Sequence, residues 1–294
     1  MRVRLATAAI LLLALTMPAH SDPDWTAVGK ALGRSGAQVA GGVYRVGLPR
    51  TDLKVTLDGV QLKPALALGS WLAFKPTSDH DAMVMGDLVL TQPEVNPVMT
   101  KLIESGIDVT ALHNHLLRSD PATMYMHVLG HGDPVKLAAA LHAALQESGT
   151  PLSDSPASAP SAAIDLDTSA IDQTLGHKGK MNAGVYQISI PRAETIKDNG
   201  MEVPEAMGSA IGINFQPTDN GKAAITGDFV LIASEVNPVL QALREGGIEV
   251  TAVHNHMLDD EPRLFFMHFW ANDDVNKLVR GLRSALDKVN LQHS

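Results

Sequence analysis

Cysteine is absent from this chain of 294 residues. That removes disulfides, thiolate metal sites and cysteine nucleophiles together, and leaves imidazole, carboxylate and thioether as the side chains that could hold a metal. Aromatic residues are scarce at 4%, so any core must be aliphatic, built from Val, Leu, Ile, Ala and Met. Long basic runs are missing as well. With 23 Lys and Arg against 32 Asp and Glu, the formal net charge of −9 argues against nucleic acid as a partner. Past the amino terminus no segment is apolar enough for the roughly 20 residues that a spanning helix needs. What is present is 45% hydrophobic and 19% charged residues, the composition of a folded protein, in a chain long enough for two domains of ordinary size.

The amino terminus reads as a secretory signal peptide over residues 1–21. Arg2 and Arg4 form a positive n-region, Leu5 to Met17 an apolar run too short to span a bilayer, and Ala19-His20-Ser21 a small-x-small cleavage site. The expectation is a secreted or periplasmic protein with no membrane span once the signal is removed.

Along the chain, Trp25, Val28 and Leu32 suit a short helix stopped by Gly33 and Gly36, and residues 42–50 alternate like a strand. Further β-like pieces cover Leu53–Leu57, Ala65–Phe74 and Ala82–Leu90. Asn96 as N-cap and Pro97 at the first helical position predict a helix to about Glu104, ended near Gly106. Ile107–Leu117 and Thr123–Leu129 then form a hairpin about the turn at Pro121, and a last helix runs from Pro134 to about Glu147. Residues 148–169 are rich in Ser, Pro, Ala and Asp, the composition of an exposed linker.

After the linker the sequence restarts. Gly184-Val185-Tyr186 repeats Gly42-Val43-Tyr44, and Pro191-Arg192 repeats Pro49-Arg50. Gly227-Asp228 and Glu235-Val236-Asn237-Pro238 repeat Gly86-Asp87 and Glu94-Val95-Asn96-Pro97 at an offset of 141 residues. The expected fold class is therefore α+β: two tandem duplicated domains, 22–147 and 170–294, each a mainly antiparallel sheet with two or three helices, joined by the linker.

The chemistry concentrates in Val109-Thr110-Ala111-Leu112-His113-Asn114-His115, followed by His127, and in its copy with His254, His256 and His268. On a strand, residues i and i+2 share a face, so His113 and His115 stand side by side. A turn centred on Pro121 would set His127 opposite His115 on that face, and the second copy repeats this about Pro262. Three imidazoles with no evident fourth protein ligand suit an open zinc site. The competing reading is histidines that only pack and hydrogen-bond. Glu94 and Glu235 are candidate catalytic bases, with helix capping as the alternative. Asp87 and Asp228 are candidates for an added ligand or for fixing a turn. Arg50 and Arg192 could bind an anionic substrate group or form surface ion pairs, and Asn114 and Asn255 are expected to support the sheet from its other face. Met83, Met85, Met124, Met126 and Met267 near these histidines raise copper as the alternative metal, against a role as core filler.

With its paired Gly-Val-Tyr, Glu-Val-Asn-Pro and Val-Thr-Ala-(Leu/Val)-His-Asn-His motifs, the whole chain after the signal resembles the LppY/LpqO family of exported bacterial proteins. That resemblance implies export and no particular activity. Lipid anchoring, a trait of the family's namesakes, has no cysteine to use here. A more distant similarity, confined to the histidine hairpin, is to acetolactate decarboxylase and related domains, in which a His-x-His strand and a third histidine bind zinc. It implies metal ligation by His113, His115, His127 and by His254, His256, His268. The glycines that usually precede the third histidine are replaced by Tyr125-Met126 and Phe266-Met267. The functional expectation is an exported divalent-metal protein, zinc first, with hydrolase or lyase chemistry on a small polar substrate as its catalytic form. A non-catalytic periplasmic binding or copper-handling module, or a structural envelope protein, are the rivals.

Overall fold

The structure, a computed structural model, describes residues 23–153 and 164–292. The expected signal peptide and the middle of the linker lie outside the described residues.

Each repeat builds one six-stranded antiparallel sheet. In the first, the order across the sheet is Ala37–Val39, Val43–Pro49, Gly69–Pro76, Ala82–Thr91, Thr123–Gly132 and Asp108–His113. The second has the same order: Lys180–Asn182, Val185–Ile190, Ile211–Pro217, Lys222–Ile232, Leu264–Asp274 and Glu249–His254. The strands ending in His113 and His254 are therefore the edges of their sheets. Each is reached through a helix, Gln92–Glu104 or Ala233–Glu245, that steps over the strand carrying the third histidine. Three helices of eight residues or more serve each repeat, the others being Trp25–Leu32 and Pro134–Leu145 in the first, and Thr168–Leu175 and Val275–Leu286 in the second.

The longest strands are buried on both faces, which is why Ala82–Thr91 reads as a continuous apolar run instead of an alternating one. The pleat sends Val84, Leu88 and Leu90 into a core with Val98, Leu102 and Leu141 of the helices. Val89 and Tyr125 point the other way, into a cluster that also holds Val185, Ala224 and Trp270 of the second repeat. The inner faces of the two sheets thus meet, with helices on the outside. A fully buried side chain such as Leu141 contributes about 1.5–3 kcal/mol.

Three sequence expectations need correction. The helix expected from Pro97 begins at Gln92, so Asn96 is not its cap. Glu94, in the first turn, accepts from the backbone N–H of Thr91 at 2.7 Å and fixes the earlier start. Pro97 is tolerated within the helix, as Pro238 is in the second copy. The strand expected over Ala65–Phe74 is divided: Pro64 opens a single helical turn, Pro64–Ala67, and the strand starts at Gly69. The ends of the expected linker belong to the folded body. Leu152 packs on the first core, Ile164 and Leu166 on the second, and a helix starts at Thr168.

Candidate metal centre

The register differs from the expected one. His127 faces Ala111, not His115, and His113 faces Tyr125, after a bulge between Val109 and Ala111. The strand ends at His113, and His115 lies in the bend beyond it. His127 pairs with a residue four positions from the expected one; an even displacement preserves the face, so His127 still shares it with His113. Their ring centroids are 5.1 Å apart, as are those of His113 and His115.

What the sequence did not disclose is that the two trios face one another. His113 stacks on His254 with centroids 3.5 Å apart, His115 lies 3.7 Å from His268, and His127 lies 3.7 Å from His256. Tyr125 backs His115 at 3.3 Å, and its counterpart Phe266 backs His256 at 3.5 Å. The repeats are tied reciprocally here: Thr110 Oγ1 donates to the His256 carbonyl at 2.6 Å, and Thr251 Oγ1 to the His115 carbonyl at 2.5 Å. Asn114 Nδ2 donates across the same boundary to the Thr251 carbonyl at 3.2 Å, while Asn255 donates to the Met257 carbonyl at 3.0 Å. The asparagines therefore hold the loops that carry His115 and His256.

All six Nε2 atoms are buried and have no hydrogen-bond partner among the described residues. The opposite nitrogen explains how several are aimed. Nδ1 of His113, His254 and His268 lies 3.2, 3.3 and 2.9 Å from the carbonyls of Asn114, Asn255 and Gly227. Donation from Nδ1 fixes the tautomer and leaves the Nε2 lone pair free, the arrangement by which metal-binding imidazoles are oriented. Burial pushes His113 down to about 4. Burial, then the neighbouring His113, pushes His254 down to about 3. The other four fall well below the usual 6.5, first by burial and then by crowding among the rings. The rings are neutral at neutral pH, the form that ligates. The donor atoms make two sets, each within 4.8 Å: His113, His115 and His127, and His113, His254, His256 and His268. These sets could hold a metal ion.

Asp87 and Asp228, candidates for an added ligand or for fixing a turn, lie in mid-strand, and each faces a third histidine across the ladder, Asp87 opposite His127 and Asp228 opposite His268. Burial raises the Asp87 carboxyl to about 8 against the pull of Arg45. Burial first, and then Asp87, raise Asp228 well above the carboxylate range. A cavity of about 10 Å³ adjoins the rings, lined by His127, His256, Thr110, Met85 and Met257 among others. That is room for about one water.

The other candidates gather elsewhere, with one another. Arg50 is 1% exposed and pairs with Glu94 at 2.9 Å and Asp52 at 2.8 Å. Arg192 pairs with Glu235 at 2.6 Å and Glu194 at 3.0 Å. Glu94 also accepts from the backbone of Thr91 and Gly149, and Glu235 from Ile232 and Asn290. The carboxylates that were candidates for base or cap and the arginines that were candidates for substrate contact or ion pairing thus saturate each other, binding the strand end, the helix start and the chain after the last helix. Neither glutamate appears in the histidine donor sets. Met126 and Met267 pack into the helix-side cores, as thioether filler.

The sequence profile of a family described as Domain of Unknown Function (DUF1259) matches residues 26–147 and again 169–288. No curated protein matches. Among solved structures the chain is similar to a trimeric bacterial microcompartment shell protein, PduB, at 12% identity over 86% of this chain and 89% of that one, with a TM-score of 0.22. It is likewise similar to EtuB from Clostridium kluyveri, at 10% identity over the same shares, with a TM-score of 0.20. Likenesses this slight carry no argument about function.

Proposed function

For a chain that belongs in both its halves to the DUF1259 family, we propose an exported divalent-metal-binding protein whose six histidines form one centre shared by the two repeats. The observation that carries this reading is the set of six buried Nε2 atoms without partners, brought together from both sheets. Packed structural histidines would be hydrogen-bonded, since an unsatisfied buried polar atom costs about 1–3 kcal/mol and six would accumulate. Neutral imidazoles with no thiolate favour zinc among the common divalent ions. Copper is the second reading, favoured by Met85 and Met257 beside His127 and His256. With room for about one water, and with Glu94 and Glu235 engaged by arginines, the geometry favours holding a metal over hydrolase or lyase turnover. Export rests on the leader read from the sequence.

The test is elemental analysis of protein purified without a metal-affinity tag, before and after zinc or copper exposure, for wild type, His113→Ala, His254→Ala and the double variant. Wild type is expected to retain metal and the double variant to lose it. A wild type that stays metal-free after both titrations sinks the proposal.

A further inference from the structure

The six nitrogens do not form an undivided set. The two donor sets have only His113 in common. An aspartate also flanks each set, outside the 4.8 Å grouping. Asp87 Oδ2 lies 3.8 Å from Nε2 of His115, and its Oδ1 lies 3.9 Å from Nε2 of His127. Asp228 Oδ2 lies 3.8 Å from Nε2 of His256, and its Oδ1 lies 3.7 Å from Nδ1 of His268. Since that Nδ1 is taken by the Gly227 carbonyl, His268 is left to ligate through Nε2.

These separations are too long for hydrogen bonds. Yet Asp87 Oδ1, Asp228 Oδ1 and the facing Nε2 atoms have no other partner among the described residues. Two ligands each about 2.0–2.2 Å from a tetrahedral zinc ion sit roughly 3.3–3.6 Å from each other. The Asp87 carboxylate with His115 and His127, and the Asp228 carboxylate with His256, are therefore spaced as neighbours around an ion, with a small contraction left to make. Asp87 is 7% exposed; the Asp228 side chain is 21% exposed, but its Oδ1 is occluded.

Charge points the same way. Arg45 is the cation that acts on Asp87, and it is also held over the Trp71 ring at 4.2 Å and bonded to the Ala206 carbonyl. At the matching place in the second repeat stands Gln187, which donates to the Ala65 carbonyl at 2.8 Å. A buried carboxylate without a compensating charge is unfavourable, and a divalent cation supplies that charge.

We propose that the centre holds two divalent cations, one for each repeat, with Asp87 completing the His113, His115 and His127 set and Asp228 completing the set of His254, His256 and His268. This rests on the metal-binding reading above. Eight donors then serve two ions, with His113 placed to lean toward either.

The experiment is metal stoichiometry. Wild-type protein is equilibrated with zinc, freed of unbound ion by dialysis and analysed for zinc per chain, alongside Asp87→Asn and Asp228→Asn variants whose folding is checked by circular dichroism. The expected result is two ions per chain in wild type and one in each variant, at zinc concentrations that saturate wild type. One ion per chain in wild type overturns the two-ion inference and leaves metal binding intact; none overturns both. Variants that keep two ions at unchanged affinity remove the aspartates from the ligand set. The wild-type count decides the matter alone if a variant does not fold.

Discussion

Replacing Glu235 by alanine isolates the energetic role of the arginine–glutamate pairs. Arg192 is 5% exposed and Glu235 7%. Their oxygens and nitrogens meet at 2.6 and 3.1 Å, and Glu235 also accepts from the backbone N–H groups of Ile232 and Asn290, each at 3.0 Å. Removing the carboxylate leaves a buried guanidinium with the Val230 carbonyl and the partly exposed Glu194, and leaves two backbone donors unanswered. Breaking a buried pair by deleting one partner costs about 3–5 kcal/mol. The residual Glu194 contact places the expectation toward the lower end. Urea unfolding followed by circular dichroism measures it as a shifted midpoint at unchanged slope. An Arg192→Met, Glu235→Leu double variant should recover much of the loss, because no charge is then stranded. A loss below about 1 kcal/mol for Glu235→Ala, or a loss of metal at unchanged stability, would refute the structural assignment and return Glu235 to the site.

The stability gap between wild type and Glu235→Gln should depend on pH. Burial alone would raise the Glu235 carboxyl, but Arg192 and the backbone donors hold it below the ordinary 4.5. A depressed folded value means that the contribution is full above about pH 4.5 and is lost as pH falls through that lower value; a gap that vanishes near pH 6 contradicts this. Gly227→Ala should destabilise by about 1–3 kcal/mol or more, since an added Cβ would lie 2.0 Å from the Gly212 carbonyl oxygen; an unchanged melting temperature would count against the strand packing. Thr110→Val and Thr251→Val should each cost about 0.5–1.5 kcal/mol in urea unfolding, because each removes a hydrogen bond between the repeats. Zinc at 100 times its dissociation constant should add about 2.7 kcal/mol to wild-type stability for each ion bound and chelator should reverse it; a thermal transition indifferent to both speaks against the centre.

The duplication, the antiparallel sheets and both histidine trios were legible because they are local: repeated strings, periodicity, and turn residues at fixed offsets. The face shared by His113 and His127 survived a wrong register because parity alone decides it. The helix start was misplaced because Asn96-Pro97 offers a good cap in isolation, while Thr91 and Glu94 offer one in context. Asp87 was legible as a candidate for an added ligand or for fixing a turn, and its place opposite His127, which separates the two, appears only in the strand pairing. The Arg50–Glu94 pair and the meeting of the two trios are contacts between distant segments, which no window of sequence displays.

The proposed centre draws its histidine ligands from both repeats. Competition for zinc between the intact protein and a chromophoric chelator tests this most directly, with wild type compared against the His113→Ala, His254→Ala double variant at matched folding. Wild type is expected to withdraw zinc from the chelator and the double variant, though folded, to withdraw far less. Wild type that leaves the chelator saturated, or a double variant that competes as well as wild type, would contradict a shared centre.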